Sequence, residues 1–345
     1  MYFTKDESIS KKLSKKHFTN FLKMFFKDCT ILSYEMLPDG AENTCFLVNT
    51  TERSLLVRIS TIKSTHKMVD RARFTLDEEM RFMEFLHKQG IPIPSVYRQQ
   101  ENSQPYLEYQ EQDQCVFVTV TDFIIGSHVN YTMEVVELVA EVQARMHRLA
   151  KNYQHYLSIL NEEHSAMSIR IKKEHLDSDG YQNQPSGPLY RRLLDVYLEN
   201  VEHLKEYFIR NEKLLIHCDM KADNILVLDG RLSAVIDFGD IRVSVIAEDL
   251  GVFIWDLCDH LNRDQIDFSP YIKMYFQAYS RYSKELSRLE KEMAIRYAID
   301  RYLNINIYYL MENQPFPERM KYQVDKAERQ FEIIQCLLKI LQEEF

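Results

Sequence analysis

Residues 216–239 read IHCDMKADNILVLDGRLSAVIDFG, and the rest of the chain is read outward from this stretch. His217, Asp219 and Asn224 stand in the pattern H-x-D-x-x-x-x-N, and Asp237 follows thirteen residues after Asn224, in an apolar run that ends in Asp-Phe-Gly. A phosphoryl-transfer loop is followed by its metal-binding aspartate in this way. The chemistry needs a carboxylate to orient the attacking hydroxyl. It also needs an amide and a second carboxylate to hold magnesium on the phosphates. The apolar runs Ile225–Leu228 and Ser233–Ile236 predict two short strands turned at Asp229-Gly230. Such a hairpin holds Asn224 and Asp237 side by side.

Each residue has a plainer reading beside the chemical one. Asp219, the candidate base, could be a turn aspartate, since aspartates are common in turns. Asn224 could be a turn amide, and Asp237 a strand-end acid. The joint pattern decides for function: Asp219 as base, and Asn224 and Asp237 as hard oxygen ligands of the kind magnesium prefers. His217 belongs to the catalytic loop and is expected to orient it rather than to move protons. Lys221, two residues past Asp219, could neutralise the transferred phosphoryl group or be an ordinary surface lysine. Cys218 reads as a buried filler, because no base is placed to activate it. Upstream, Arg58 lies in SLLVRIS, and Glu79 in the following helical stretch is its candidate partner. A cation there could grip nucleotide phosphates. The segment Gly40–Asn43 falls where a nucleotide-covering loop would lie.

The flanking sequence divides into two halves. Leu13–Phe26 has a helical apolar stripe, and its lysines predict a solvated face rather than a membrane-bound one. Ile31–Leu37, Cys45–Asn49 and Ser54–Ser60 read as strands separated by turn residues, followed by a helix over Leu76–Lys88 that Gly90 stops. Tyr106–Tyr109 and Cys115–Thr121 read as further strands. From Met133 the pattern turns helical: Met133–Leu149, Leu189–Phe208, and from about Tyr271 almost to the end, with 175–188 as a surface loop. The expectation is an α+β chain with a small antiparallel-sheet lobe carrying one helix and a larger, mostly helical lobe. Residues 1–124 form the nucleotide-binding lobe, with a leading helix inside 1–28. Residues 125–345 form the helical lobe with the catalytic loop 216–239.

Composition narrows the partners. The formal net charge of the 345 residues is −9, whereas a nucleic-acid binder needs a basic footprint. No apolar run approaches a membrane span, and the opening MYFTKDESISKKLSKK lacks the apolar core expected of a signal peptide. The six cysteines show no C-x-x-C pair, so reduced thiols in a cytoplasm are expected. Neither G-x-G-x-x-G nor a Walker A loop is present.

IHCDMKADNIL followed by AVIDFGD resembles the aminoglycoside phosphotransferase and choline kinase superfamily, relatives of the protein kinases. The likeness extends over roughly residues 30–260, through GAENTCFLV, LLVRIS, EEMRFMEFLHKQGIPIPSVY, VTDFIIGSHV, LVAEVQARMHRL and AEDLG. It implies a two-lobed, protein-kinase-like fold that uses ATP or GTP with Mg2+. By the same resemblance Asp219 would be the base, and Asn224 and Asp237 the metal ligands. Arg58 with Glu79 would be the phosphate-gripping pair, although many members carry lysine at that position. Backbone at Asp122, Phe123 and Ile124 would meet the nucleotide base, and Asp249 would brace the loop. The implied acceptor is a hydroxyl of a small molecule, aminoglycoside-like or an amino-alcohol such as choline or homoserine. A protein serine/threonine kinase and a nonenzymatic nucleotide-binding scaffold are the alternatives. Against a protein substrate, no A-P-E closes an activation segment after Asp237. Asp256 and Asp259, three apart on WDLCDHL, with Tyr271, Tyr275, Phe276, Tyr279 and Tyr282, could form a pocket for a cationic substrate. A solvated acidic face over an aromatic core is the preferred reading of that cluster.

Overall fold

The computed structural model describes residues 12–38, 43–63, 66–153, 187–312 and 317–344. The fold is α+β, with an antiparallel sheet in the N-terminal half and helices in the C-terminal half. The chain separates into two compact units. One comprises Met1–Ser127 with Leu226–Asp240, and the other His128–Ile225 with Ile241–Phe345.

In the first unit, helix α1 (Lys15–Phe25) precedes strands β1 (Ile31–Met36), β2 (Thr44–Thr50) and β3 (Ser54–Lys63). Helix α2 (His66–Lys88) and strands β4 (Tyr106–Glu111) and β5 (Gln114–Asp122) follow. The sheet order is β1-β2-β3-β5-β4, antiparallel throughout. Phe18, Phe21, Leu22 and Phe25 of α1 pack in one core with Val116, Val118 and Val120 of β5. Val69, Ala72 and Leu76 of α2 pack in a second core with Cys115 and Phe117, the alternate residues of the same strand. Both faces of β5 are therefore covered, which is why it reads as a continuous apolar run. The α1 lysines 15, 16 and 23 are exposed.

Helix α2 begins ten residues before the expected Leu76. Its first turns carry polar residues and no strong start signal, so propensity alone misses them. Burial of Val69 and Ala72 against the sheet holds them in the helix. Its end is legible. Gly90 takes φ 77°, its N–H donates to the His87 carbonyl, and the Ile91 N–H donates to Leu86. This double bond past a left-handed glycine terminates a helix.

The two-residue strand β6 (Ser127–His128) comes next, and in the second unit α3 (Met133–Ala150) is capped by Thr132, whose hydroxyl accepts from the Val135 amide. Helix α4 (Gly187–Arg210) leads into β7 (Leu214–Ile216), which pairs antiparallel with β10 (Arg242–Ser244). Helices α5 (Ile246–Arg263), α6 (Ser269–Tyr282), α7 (Arg288–Glu312) and α8 (Pro317–Glu344) complete it. The helical run expected from Tyr271 thus starts at Ile246. Gly251 is inside α5 because no side chain fits there: an added Cβ would lie 2.5 Å from Tyr297 Cβ and 2.7 Å from the Ala294 carbonyl oxygen of α7.

The stretch 216–239 was expected to lie wholly in the helical lobe. Its contacts divide it after Ile225. Strands β8 (Ile225–Leu228) and β9 (Arg231–Val235) form the expected hairpin, turned through Asp229 and Gly230 at φ 49° and 72°. The Val235 N–H donates to the Pro92 carbonyl, and the Ser233 hydroxyl to Ile125. Those bonds, and Phe238 edge-on against Phe82, make 226–240 part of the first unit. Residues 175–186 of the expected 175–188 loop and Gly40–Glu42 of the nucleotide-loop segment lie outside the described residues, while Gly187 and Pro188 open α4 rather than close a loop. Among the described residues no helix is long and apolar enough to cross a membrane, and none of the six cysteines is in a disulfide.

Candidate active site

Strand β7 carries the chain into the catalytic loop and ends at Ile216. His217 is fully buried, and its Nδ1 accepts the Asp219 amide at 3.2 Å. That bond ties the ring to the backbone of the loop. Cys218 adopts φ 62°, a left-handed conformation that costs a non-glycine residue about 1–3 kcal/mol. Asp249 of α5 holds it there, accepting the Cys218 N–H on Oδ1 at 2.6 Å. The other Asp249 oxygen meets His147 Nε2 at 2.8 Å, and His147 Nδ1 meets the Tyr279 hydroxyl at 2.8 Å. Burial works against ionising Asp249, yet bonding to His147 and the nearby His217 hold its pKa below the usual carboxylate range. Burial pushes the Cys218 thiol well up, which leaves it inert.

Asp219 stands at the centre of a set of donors. Lys221 Nζ donates to Oδ2 at 2.7 Å, and Asn224 Nδ2 donates both to Oδ2 and to the Asp219 carbonyl at 2.8 Å. Arg301 of α7 donates to Oδ1 at 3.3 Å. Lys221 is thus no idle surface lysine. Because Asn224 gives its bonds through nitrogen, its amide oxygen is the end left to face a cation. Asn224 ends a single 3-10 turn, Ala222–Asn224. The Ala222 amide at its start donates to Asp256 Oδ2 at 2.9 Å, and the Tyr131 hydroxyl donates to the same oxygen at 2.6 Å.

That bond corrects the reading of the acidic cluster. Asp256 is buried and braces the Ala222–Asn224 turn, so it is not part of a solvated face. Asp259 accepts from Gln330 of α8 at 2.8 Å. Tyr275, Phe276 and Tyr279 are core, as preferred.

In the first unit, β3 places Arg58 opposite Cys45 and Thr119. Its fork grips Glu79 of α2 with Nη1–Oε1 at 2.7 Å and Nη2–Oε2 at 2.9 Å, while Nε donates to Thr119 Oγ1. Burial alone would lower the Arg58 pKa. Glu79, and more weakly Asp237, reverse this and raise it. A bidentate, desolvated pair of this kind holds a cation rigidly. Asp237 is exposed at φ 62°, followed by the 3-10 turn Phe238–Asp240. The two left-handed non-glycine residues of 216–239 outside the hairpin turn therefore lie one position before Asp219 and at Asp237 itself. At Asp122–Ile124, the Asp122 and Phe123 amides are already donated to the Ser95 and Ser54 carbonyls, and Asp122 Oδ1 accepts from Tyr97. Asn43 accepts from Ser60 at 2.6 Å.

Among the described residues no three His, Cys, Asp or Glu side chains cluster as a metal cage. Asn224 and Asp237, the expected metal ligands, carry an amide oxygen and a carboxylate, donors of the hard-oxygen kind that magnesium takes.

Residues 33–290 match the Phosphotransferase enzyme family. The chain belongs to that family. Its fold is also that of several solved phosphotransferases. A microcompartment-associated aminopropanol kinase aligns at TM-score 0.68 and 16% identity, over 97% of this chain and 98% of its own. An amicoumacin kinase in complex with AMP-PNP and Ca2+ aligns at 0.64 and 13%, over 94% and 97%. An aminoglycoside phosphotransferase from Alicyclobacillus acidocaldarius aligns at 0.61 and 15%, over 94% and 95%. No curated protein sequence matches this chain significantly.

Sequence reading of this phosphotransferase missed three contributors. His147 and Asp256 sit in quoted motifs, but only folding shows what they brace. Arg301, on α7, is 82 residues from Asp219 and carries no local signal.

Proposed function

We propose that this phosphotransferase moves the γ-phosphate of ATP or GTP to a hydroxyl of a small molecule, an amino-alcohol or aminoglycoside-like compound. The observation that carries the reading is the Asp219 carboxylate, buried and aligned by Asn224 and Lys221 on a loop that Asp249 pins from behind. Solved relatives named for aminopropanol and amicoumacin support a small acceptor. Asp219 aligns the acceptor hydroxyl and takes its proton late, as the acceptor oxygen bonds to the γ-phosphorus and the bond to the bridging oxygen of the departing diphosphate breaks. Lys221 offsets charge on the moving phosphoryl group. Arg58, held by Glu79, grips the nucleotide phosphates. With the fork closed on Glu79 and Nε on Thr119, its charge and the remaining Nη N–H groups are what it would offer the phosphates. Asn224 and Asp237 would hold Mg2+, which neutralises phosphate charge when bound. The carbonyls of Asp122–Ile124 and the Ile124 N–H are the groups this segment would offer the base edge.

Asp219→Asn keeps the shape and the Lys221 and Asn224 neighbours but cannot take a proton. Phosphotransfer, followed as nucleoside diphosphate release with a panel of amino-alcohols and aminoglycosides, should fall by about 10²–10⁴ while nucleotide affinity is retained. Wild-type turnover in this variant would end the assignment.

A further inference from the structure

Arg301 is not explained by the chemistry above. Asp219 needs one cation near the moving phosphoryl group, and Lys221 supplies it from the adjacent turn, on Oδ2. Arg301 approaches the opposite oxygen, Oδ1, from helix α7 at 3.3 Å. Two cations therefore flank one carboxylate, the group at which the acceptor hydroxyl must arrive. The Arg301 guanidinium lies over the Trp255 indole, 4.8 Å from the ring centroid, a cation–π contact that steadies it. Its side chain retains 24% of its exposure. Its Nε is buried and has no hydrogen-bond partner among the described residues. A guanidinium has five donors in a planar fork. This one is oriented, partly open and largely unspent, beside the group that activates the acceptor.

Such a fork matches a carboxylate or another planar oxyanion in a two-point contact. We propose that Arg301, steadied by Trp255, binds an acidic group of the acceptor, so that the preferred substrate is a hydroxy acid or hydroxy amino acid rather than a purely cationic amino-alcohol. This rests on the reading of Asp219 as the base of a small-molecule phosphotransferase. The acid would draw Arg301 off Asp219, giving the guanidinium a two-point partner and freeing Oδ1 for the hydroxyl. The other oxyanion within reach of such a cation is the transferring phosphoryl group. The two differ in what they do to substrate preference.

The test compares acceptors in matched pairs that keep the hydroxyl and amine but differ by a carboxylate: serine with ethanolamine, and homoserine with 3-aminopropanol. The full chain is assayed with ATP and Mg2+, and acceptor binding is measured separately by calorimetry. We expect the acid of a pair to be favoured at least about tenfold in kcat/KM. That is the roughly 1.5–3 kcal/mol of a charge-assisted hydrogen bond expressed as a rate ratio. Arg301→Ala should collapse the ratio mainly through KM of the acid, and Arg301→Lys should restore part of it. Preference for the decarboxylated partner would overturn the proposal. So would an Arg301→Ala loss falling on kcat equally for both members, since that is the signature of a contact to the phosphoryl group. Arg301-dependent binding of the acids without turnover would support the anion site and place the failure in the proposed function. Absence of acid binding and acid turnover alike would overturn the anion site itself.

Discussion

At the scale of single residues, the second unit buries more acid than it pairs. Asp300 of α7 is fully buried. Asn304 Nδ2 donates to its Oδ2 and carbonyl at 2.8 Å, and its Oδ1 has no partner among the described residues. Burial first, and the Glu248 charge from α5 second, push its pKa up to about 7, with Arg242 of β10 and the Asn304 bond opposing. Tyr297, one turn back on α7, is the other titratable neighbour. The folded state therefore holds this proton more tightly than the unfolded chain does. The stabilisation is full below about pH 4 and is lost as pH rises to about 7, because the unfolded carboxylate ionises freely over that window. Asp300→Asn removes the titration and keeps an acceptor for Asn304. It should raise Tm more at pH 8 than at pH 5, by on the order of 2–4 kcal/mol of added stability at the higher pH. Equal effects at both pH values would show that Asp300 is not protonated in the fold.

At the scale of elements, α5 ties the loop to the bundle. Asp249 and Asp256 are seven apart, two helical turns, and so share a face. One takes the Cys218 amide and the other the Ala222 amide, so a single helix fixes both sides of Asp219. The adjacent Glu248 is paired with Arg242 and accepts from the Ser244 hydroxyl, which ties α5 to β10 as well. Gly251 lets α5 lie close enough to α7 for this packing. An added methyl would meet a backbone carbonyl and a Cβ, neither of which can rotate away. Gly251→Ala should cost about 1–3 kcal/mol, read as a lower denaturant midpoint with an unchanged slope. A neutral substitution would mean that α5 and α7 can separate without penalty.

At the scale of the whole molecule, the proposed nucleotide binding is read through global stability, because a ligand that binds only the folded chain stabilises all of it. ATP with Mg2+ at a hundred times its Kd should stabilise the protein by about 2.7 kcal/mol, seen as a rise in Tm. Asp237→Ala and Asn224→Ala should each remove the Mg2+-dependent part. If Asn224→Ala keeps it in full, Asn224 is not a metal ligand.

The hairpin at Asp229-Gly230, the strand positions and the Asp219–Asn224–Asp237 spacing were legible in the sequence because they depend on local rules: turn chemistry, side-chain period and motif interval. The early start of α2, the assignment of 226–240 to the first unit, the burial of Asp256 and the arrival of Arg301 at Asp219 were decided only by tertiary structure. Each is a contact between residues distant in sequence, and no local pattern encodes which partner a buried acid or an unspent guanidinium will meet.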